Sequence, residues 1–426
     1  MKIAVYHNLP SGGAKRALFE TARRLAARHD LHVYSLSTAD HAFGDVRGIA
    51  ASHRIWRFRP LPLLGSPLGR LNQAIRWMDL KRLRRVTRGI ARQMTRDGFD
   101  LAYIHPCRFE NSPSLLRDLQ SAPSIYFCQE PLRRFYEPMP ARPYDRPTAR
   151  RRQLLDRVDP LPGLYQRALQ RSDRASLRSA DLVLVNSEYI RSAVAAIYQV
   201  EARVCYLGVD AEGFRPVSVE KQDSLLSVGS LTPLKGFDFL IRSLAHLPPD
   251  ARPKLRITSN FENDQERQYL TGLAQQLGVT VDLLGAVSDA ELVALYNQAS
   301  LTVYAPIREP FGLVALESLA CGTPVVGVRE GGLTETIVHG EVGLLVDRDE
   351  TTFAEAVASL MWSPTDRARL GRNGRALVLR QWSWDGAAGR VEACLAEGIR
   401  RHGLGPAISR RLSSTAASSA TRAGDG

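Results

Sequence analysis

The sequence predicts an α/β protein built of two parallel-sheet domains that face each other. Short apolar runs, typical of buried strands, alternate with stretches of helical periodicity along most of the chain. This alternation occurs in two blocks, which a polar stretch without periodicity from Pro216 to Asp223 separates. Alternating strands and helices are typical of parallel sheets covered by helices. We therefore predict one domain over residues 1–215 and a second over residues 216–402.

In the first domain, a Gly-Gly turn follows the first predicted strand. Gly12 and Gly13 lie between this strand and a predicted helix that begins at Ala14. Glycines at this place let the backbone approach a ligand closely at a helix N-terminus. The arrangement alone is weak evidence, because any parallel α/β unit can begin this way. The strands of this domain are predicted at 2–7, 31–36, 54–58, 100–104, 124–127 and 181–185.

Some segments of the chain are less regular than these blocks. Residues 131–176 are rich in arginine and proline and have weak periodicity, which predicts an insertion over the cleft. The final helices, about residues 383–400, are predicted to pack back on the N-terminal domain. Residues 403–426 are mostly Ser, Ala, Gly and Arg without periodicity, which predicts a disordered tail.

The strands of the second domain are predicted to begin near Ser224, Lys254, Thr280, Leu301, Pro324 and Gly343.

The composition is that of an ordinary globular protein in a reducing compartment. Of the 426 residues, 44% are hydrophobic and 24% are charged. Five cysteines are scattered without paired spacing, which argues against a zinc knuckle or a disulfide framework. No apolar run approaches the roughly 18–20 residues that a membrane-spanning helix needs. We therefore expect a cytoplasmic protein.

The positive charge is concentrated in the first half. The net charge is +13, and residues 1–215 hold 36 Lys and Arg residues against 20 Asp and Glu residues, a balance of +16. A basic amphipathic helix is predicted over residues 67–96. It is typical either of peripheral contact with the anionic inner face of a membrane or of a domain helix with a solvated face. No aromatic-interleaved or helix-turn-helix pattern accompanies the charge, so we expect no nucleic-acid partner.

The stretch from Ala305 to Asp347 carries the chemistry. A buried strand, an acidic glycine-containing turn and a helix that begins at Leu313 follow one another. Such a strand, turn and helix N-terminus form the place where α/β proteins bind phosphate-bearing ligands. Glu309 lies before the helix and Glu317 a little over one turn inside it, so both carboxylates can face one ligand.

The motifs around this turn resemble the retaining glycosyltransferases of the GT-B fold, and family 4 in particular. The resemblance rests on the ordered set Glu309 to Glu317, Cys321-Gly322-Thr323-Pro324-Val325-Val326, Gly331-Gly332, Glu335 and Gly343-Leu344-Leu345-Val346. It implies two Rossmann-like domains across a cleft. The C-terminal domain would hold a nucleotide-sugar donor, and the N-terminal domain would hold the acceptor.

The resemblance also implies a role for each matching residue. Glu317 would bind the ribose hydroxyls and Glu309 the hydroxyls of the transferred sugar. Lys235 would neutralise the diphosphate. Fixed cations and backbone N–H groups stabilise the leaving diphosphate, so no metal or other cofactor is expected. Further donor contacts are implied for Gly12 and Gly13 of the first domain, for the loop residues Gly229 and Ser230, and for the amides of Phe311, Gly312 and Leu313.

Two positions depart from the family pattern. Ser230 follows Gly229 where the family usually has an arginine, and Gln129 ends a strand where many members have a histidine. His105, one strand earlier, is either a partial replacement or a structural histidine. The catalytic candidates are therefore Glu309, Gln129 and His105. Asp347-Arg348-Asp349 imitates a metal-binding motif, but we interpret it as a loop after a strand.

Two functions remain open from the sequence. The first is a retaining glycosyltransferase that moves a sugar from a UDP- or GDP-sugar to a glycan or lipid-linked acceptor, in the biosynthesis of cell-surface polysaccharide or glycolipid. The second is a degenerate nucleotide-sugar-binding protein with little or no turnover, which the departures at Ser230 and Gln129 favour.

Overall fold

The structure is a computed structural model that describes residues 1–65, 71–119, 121–145, 159–261 and 263–403. These residues form two compact units. The first unit contains the described residues of 1–138, 149–206 and the region from Ala387 onward, and the second contains those of 139–148 and 207–386. The chain thus passes to the second unit after Tyr206, earlier than the sequence division at residue 215. No helix among the described residues is long and apolar enough to span a membrane.

The first unit is built on a seven-stranded parallel sheet. Its strand order is β3-β2-β1-β4-β5-β6-β7. The predicted strands all form, and a short additional one, β7, completes the edge because it pairs with β6. The strands are β1 (Lys2–Asn8), β2 (Asp30–Leu36), β3 (Ser52–Trp56), β4 (Leu101–Cys107), β5 (Ser124–Cys128), β6 (Leu182–Val185) and β7 (Ala202–Val204).

Among the described residues of the first half, five helices accompany this sheet. The predicted basic helix begins at Asn72 and buries Leu83, Ile90 and Met94, while residues 66–70 lie outside the described part of the chain. The helices are α1 (Gly13–Leu25), α2 (Asn72–Asp97), α3 (Arg133–Tyr136), α4 (Leu161–Leu177) and α5 (Glu188–Tyr198).

The second unit is built on a six-stranded parallel sheet in the order β10-β9-β8-β11-β12-β13. All six predicted strands form, so the predicted class of two parallel-sheet α/β domains is confirmed. The strands are β8 (Gln222–Val228), β9 (Lys254–Thr258), β10 (Val281–Gly285), β11 (Ala299–Tyr304), β12 (Val325–Val328) and β13 (Gly343–Val346). The helices are α6 (Phe237–Ala245), α7 (Asp264–Leu277), α8 (Asp289–Gln298), α9 (Leu313–Ala320), α10 (Leu333–Thr336), α11 (Glu350–Met361) and α12 (Pro364–Gln381).

Each sheet reverses its strand order once, and this position matters for ligand binding. The reversal lies between β1 and β4 in the first sheet and between β8 and β11 in the second. Open parallel sheets bind ligands beyond the carboxyl ends of the strands at such a point. The loop after β8 carries Gly229 and Ser230, and the turn after β11 carries Glu309. In the first unit, Gly12 follows β1 and His105 lies near the end of β4.

The predicted insertion contains more regular structure than its weak periodicity indicates. Its C-terminal part is helix α4, whose buried face includes Asp173 and Ser176 beside Leu169 and Leu177. Two polar residues on the buried face hide the apolar spacing that predicts a helix. Residues 146–158 of the insertion, and residues 404–426 of the predicted tail, lie outside the described residues.

The last helix, α13 (Trp384–Gly403), belongs to the first unit from Ala387 onward. Its Glu392 carboxylate accepts at 2.7 Å from Arg28 and lies 2.8 Å from the His29 ring. The Sγ atoms of Cys205 and Cys394 are 3.4 Å apart. Sequence spacing gave no sign of this cysteine pair, because the two residues are brought together by the tertiary fold alone.

An arginine of the insertion is buried in the second unit. The Arg142 guanidinium donates to both Glu266 carboxylate oxygens at 3.0–3.2 Å and to both oxygens of Asp238 at 2.9 and 3.0 Å. Arg142 is 6% exposed and Glu266 is fully buried. The Tyr144 hydroxyl also donates to Glu266. A buried carboxylate needs such partners, because desolvation of an unpaired charge is costly.

We predict that Arg142→Ala destabilises the second unit by about 3–5 kcal/mol, because it leaves the Glu266 carboxylate buried without its cation. Chemical unfolding followed by far-UV circular dichroism measures the loss. Arg372→Ala is the matched control, since Arg372 is exposed on α12. Equal stabilities of the two variants would contradict the importance of the Arg142 contacts.

Candidate functional site

The acidic turn of the second unit ends at Gly312, where any residue other than glycine would be strained. Gly312 precedes α9 with φ +101°, in the left-handed region. A Cβ at Gly312 lies 2.7 Å from Cδ2 of Leu333. The backbone can therefore turn sharply from β11 into α9, which leaves the first amide groups of α9 without partners inside the helix.

The Gly331-Gly332 motif contacts this turn backbone to backbone. The Gly332 amide donates to the Glu309 carbonyl oxygen at 2.8 Å. A Cβ at Gly331 lies 2.4 Å from the Glu309 carbonyl oxygen, and one at Gly332 lies 2.4 Å from that of Pro310. Any side chain at either glycine would push the two loops apart. The spacing of the sequence motif thus reflects a close approach that positions Glu309.

Arg348 braces the same turn from the other side. Its guanidinium donates to the carbonyl oxygens of Ala305 and Pro306 at 3.0 and 2.8 Å and pairs with Glu330 at 2.7 Å. Asp349 caps α11 by accepting from the Thr352 amide at 2.8 Å. Two residues of the Asp-Arg-Asp sequence therefore have structural roles. The described residues contain no group of three or more His, Cys, Asp or Glu side chains that could hold a metal ion.

Lys235 and Glu309 lie together where the strand order reverses. Lys235 Nζ donates to Glu309 Oε2 at 2.9 Å, and both side chains are partly exposed. The aliphatic part of Lys235 covers Gly229, where a Cβ would lie 3.1 Å from the lysine Cγ and Cδ. Ser230 carries no charge, and its hydroxyl lies 3.5 Å from that of Thr232. Lys235 is thus the cation that this loop supplies.

Glu317 lies deeper than Glu309. It is 7% exposed, and its Oε2 accepts from the Tyr296 hydroxyl at 3.0 Å. Burial and the neighbouring Glu317 carboxylate raise the pKa of Tyr296 well above its usual range. Burial and Glu309 do the same for the pKa of Tyr304. Both phenols are therefore neutral donors beside acceptor-only carboxylates, an arrangement suited to binding hydroxyl groups.

Buried bases lie at the carboxyl edge of the first sheet. His105 is fully buried, and neither ring nitrogen has a hydrogen-bond partner among the described residues. Burial lowers the pKa of His105 to about 3, so the ring is neutral at pH 7. Lys15 Nζ lies 3.4 Å from Nε2 of the fully buried His7. Burial lowers the pKa of Lys15 to about 8.

Sequence reasoning missed His7 and Lys15. Signals for both exist, since His7 lies near the end of β1 and Lys15 lies two residues after Gly13 in the first turn of α1. Neither residue stands out in the sequence, because His7 lies in an otherwise apolar strand and Lys15 lies in a helix with several arginines. Polar groups at the carboxyl end of a parallel strand are a better guide than local composition, because this edge is where ligands bind.

Gln129 and the Gly12 loop complete the first-unit candidates. Gln129 is 6% exposed, and its Oε1 accepts from Asn186 Nδ2 at 3.2 Å. Its Nε2 has no partner among the described side chains and backbone groups. Gly12 precedes α1 with φ +135°, and no atom lies within 4 Å of a Cβ built there, so the space beside its Cα is open. The structure therefore offers an unused donor at Gln129 and open space beside Gly12.

Two family profiles match the chain in succession. The profile of the family described as Glycosyltransferase Family 4 matches residues 11–212. The profile of the family described as Glycosyl transferases group 1 matches residues 210–377. Together they cover both parallel-sheet units.

Individual relatives of the chain are also glycosyltransferases by name. The D-inositol 3-phosphate glycosyltransferase of Acidothermus cellulolyticus is 38% identical over 45% of this chain and 44% of its own length. The MMP alpha-(1->4)-mannosyltransferase of Mycolicibacterium hassiacum is 31% identical over 48% of this chain and 51% of its own length. The matched region thus spans about half the length of these relatives.

Two solved structures share the fold over 93% of this chain. They are sucrose-phosphate synthase from Thermosynechococcus elongatus, with a TM-score of 0.69, 21% identity and 98% of that chain covered, and Anabaena HepE in complex with UDP-glucose, with a TM-score of 0.69, 18% identity and 100% of that chain covered. At these identities the likeness shows the two-domain GT-B fold alone.

We predict that the stability of the first unit rises with pH because of Lys15. Burial lowers the folded-state pKa of Lys15 to about 8, below the usual 10.5. Between these values the unfolded state binds more protons, so the free energy of unfolding increases with pH. Lys15→Met should therefore be more stable than wild type at pH 7, with a gap that narrows toward pH 10.5.

Urea unfolding of both proteins at several pH values measures this gap. Lys81→Met, which removes an exposed lysine of α2, is the control and should show no comparable change. A pH-independent difference between wild type and Lys15→Met would disprove the assignment.

Proposed function

Because the chain belongs to glycosyltransferase family 4 (group 1), we propose that it is a retaining glycosyltransferase acting on a nucleotide-sugar donor. The donor is a UDP- or GDP-sugar, and the acceptor is a glycan or lipid-linked glycan used for cell-surface polysaccharide or glycolipid. One observation carries the proposal: the Lys235–Glu309 pair lies beside the start of α9 at the strand reversal of the second sheet. The UDP-glucose in the Anabaena HepE structure supports this choice of donor.

The donor diphosphate binds at the start of α9 in this proposal. The amides of Phe311, Gly312 and Leu313 and the positive end of the helix dipole favour an anion there. Lys235 adds a full positive charge. Because Ser230 stands where the family usually has an arginine, Lys235 carries more of this neutralisation. The positive charge comes entirely from protein groups, and no metal or other cofactor takes part.

The two carboxylates bind opposite ends of the donor. Glu317, held beside the Tyr296 hydroxyl, accepts from the ribose hydroxyls, and Glu309 accepts from those of the transferred sugar. Charged acceptors form hydrogen bonds to hydroxyls that are stronger than neutral ones. When the donor binds, Glu309 breaks its ion pair with Lys235 and accepts hydrogen bonds from the donor sugar instead. The freed ammonium then stabilises the diphosphate as its bond to the sugar breaks.

The acceptor hydroxyl attacks from the same face as the leaving diphosphate, so the sugar keeps its configuration. The leaving phosphate takes the acceptor proton, which removes the need for a separate base. Gly12 and Gly13 contribute backbone contacts to the donor. His105 and Gln129 act as neutral hydrogen-bonding groups near the reacting centre, since neither carries a charge at pH 7.

A second candidate is a nucleotide-sugar-binding protein with little or no turnover. Ser230 and Gln129 favour it, because they replace a cation and an ionisable ring that the family commonly uses. Nucleotide binding without sugar transfer would distinguish this candidate from the enzyme.

The cytoplasmic protein also contacts the inner face of the membrane in this proposal. The exposed basic residues of α2, among them Lys81, Arg85 and Arg88, support that contact. Sedimentation with phosphatidylglycerol vesicles should exceed sedimentation with phosphatidylcholine vesicles, and should fall as salt rises. Equal sedimentation with both would contradict it.

We predict that substitution of Glu309 lowers turnover and that substitution of Glu317 lowers nucleotide affinity. Glu309→Gln should lower turnover by about 10²–10³-fold with modest loss of nucleotide affinity, because it acts on the transferred sugar. Glu317→Ala should weaken UDP or GDP binding by about 10–100-fold, because it removes a charge-assisted hydrogen bond. Calorimetry with UDP and GDP, and release of nucleotide from UDP- and GDP-sugars, measure these effects.

Glu355→Ala, on the exposed side of α11, is the matched control and should change neither quantity by more than about twofold. Tight UDP or GDP binding without product from any donor and candidate acceptor would select the non-enzymatic candidate. No binding of either nucleotide would reject both.

A further inference from the structure

A cavity of about 470 Å³ lies in the first unit beyond the carboxyl ends of its strands. Phe58 follows β3, Phe109 follows β4, and Phe135 lies in α3 after β5. Helices α2 and α4 complete the wall. This is the size of a pocket for a small molecule, on the edge where parallel sheets bind ligands. None of the predicted site residues lines it.

Three arginines line the cavity, and aromatic rings hold two of them. The guanidinium carbon of Arg134 lies 4.7 Å from the Phe135 ring centroid, and that of Arg108 lies 5.7 Å from the Phe109 centroid. The third is Arg76, from α2. No carboxylate of the described residues lies within 4 Å of these guanidinium groups. Each guanidinium has five N–H donors, so most of them remain available to a ligand.

The lining of the cavity contains one carboxylate, Asp79, which already has hydrogen-bond partners and a counter-charge. Asp79 accepts from the Leu61 amide at 3.0 Å and from Arg82 at 2.8 Å. Its charge is therefore balanced by Arg82, which lies outside the lining. The cavity keeps an excess of positive charge from Arg76, Arg108 and Arg134. Burial raises the pKa of the lining phenol Tyr165, and the positive charges of Arg134 and Arg76 oppose that rise.

Exposed apolar side chains adjoin the lining. Leu71 and Met78 of α2 are 47% and 48% exposed, and Leu164 of α4 is 43% exposed. Each is within two residues of a lining residue: Leu71 of Gln73, Met78 of Arg76, and Leu164 of Tyr165. Leu64, 37% exposed, is tied to the start of α2 because its amide donates to Asn72 Oδ1 at 2.8 Å. Several exposed apolar residues close to one pocket indicate a binding surface for an apolar group.

The geometry points to this cavity as the binding site of a lipid-linked phosphate acceptor. The phosphate contacts Arg76, Arg108 and Arg134, and the first part of the lipid chain lies along the aromatic wall and the neighbouring leucines. The inference rests on the proposed function, because it names the acceptor of that transfer. It also narrows that function, since a neutral glycan would not supply the negative charge.

The chemistry of the wall argues for both parts of this ligand. Arginine binds phosphate oxygens in pairs through its fixed fork of N–H groups. A neutral ligand would cover three guanidinium groups without giving them a counter-charge, which is unfavourable. A free inorganic anion would use the arginines but not the exposed leucines. An amphiphile with a phosphate head uses both sets of side chains.

Binding of three probes to the full chain tests the inference. Dodecyl phosphate, inorganic phosphate and dodecyl maltoside are titrated below their micelle concentrations, with intrinsic tryptophan fluorescence or calorimetry as the readout. Dodecyl phosphate should bind at least about tenfold more tightly than either of the others. Shortening the chain to ethyl phosphate should lower affinity several-fold for each buried methylene removed.

Arg134→Ala should weaken dodecyl phosphate binding by about tenfold or more, because it removes a charge-assisted contact. Arg171→Ala is the matched control. It removes an exposed arginine of α4 that does not line the cavity, and it should change affinity by less than about twofold. UDP and GDP binding should stay unchanged in both variants, which also shows that they are folded.

The outcomes separate this inference from the proposed function. Equal affinity for inorganic and dodecyl phosphate would indicate a soluble phosphate ester and overturn the lipid assignment. Equal losses in Arg134→Ala and Arg171→Ala would indicate general attraction to basic surface and would rule out the cavity as the binding site. Failure of wild type to bind UDP or GDP would instead reject the proposed function, whatever the result with dodecyl phosphate.

Discussion

The backbone contact between Gly332 and the turn that contains Glu309 is the constraint on which the candidate donor site depends. The hydrogen bond of 2.8 Å between the two loops can form because neither glycine there has a Cβ. This contact fixes the turn, and the turn fixes the start of α9, where the positive end of the helix dipole favours an anion. Arg348 holds the other end of the same turn through two carbonyl oxygens. Most of the geometry is therefore set by backbone and by one arginine, while Glu309 and Lys235 remain partly exposed.

The two units use buried polar groups in different ways. In the second unit, Arg142 satisfies Glu266 and Asp238, so the buried charges are paired and contribute to structure. In the first unit, burial lowers the pKa of His7, Lys15 and His105, and for Lys15 it outweighs the opposing fields of the Asp40 and Asp45 carboxylates. Unsatisfied buried groups of this kind are commonly found at functional sites, because a ligand can complete their hydrogen bonds.

Positive charge is also divided between roles in the first unit. Arg82 balances Asp79, whereas Arg76, Arg108 and Arg134 have no described carboxylate partner. A count of +16 over residues 1–215 cannot distinguish these cases, because an arginine paired with a carboxylate and one open to a ligand count equally. The position of each arginine relative to a cavity decides which of them can bind an anion.

The sequence alone determined the two-sheet architecture and the candidate donor turn. Strand and helix alternation is local, so six strands of the second sheet and six of the first could be predicted from short apolar runs, and the ordered motifs from Glu309 to Val346 pointed to one family. The sequence also predicted a weakly periodic insertion, whereas residues 161–177 are helical, because Asp173 and Ser176 occupy its buried face. Only the tertiary structure decided which residues meet across long separations: Arg142 with Glu266, Cys205 with Cys394, Lys235 with Glu309, and the arginines around the first-unit cavity. Such contacts depend on how elements pack, and local sequence periodicity carries no information about the partner on another element.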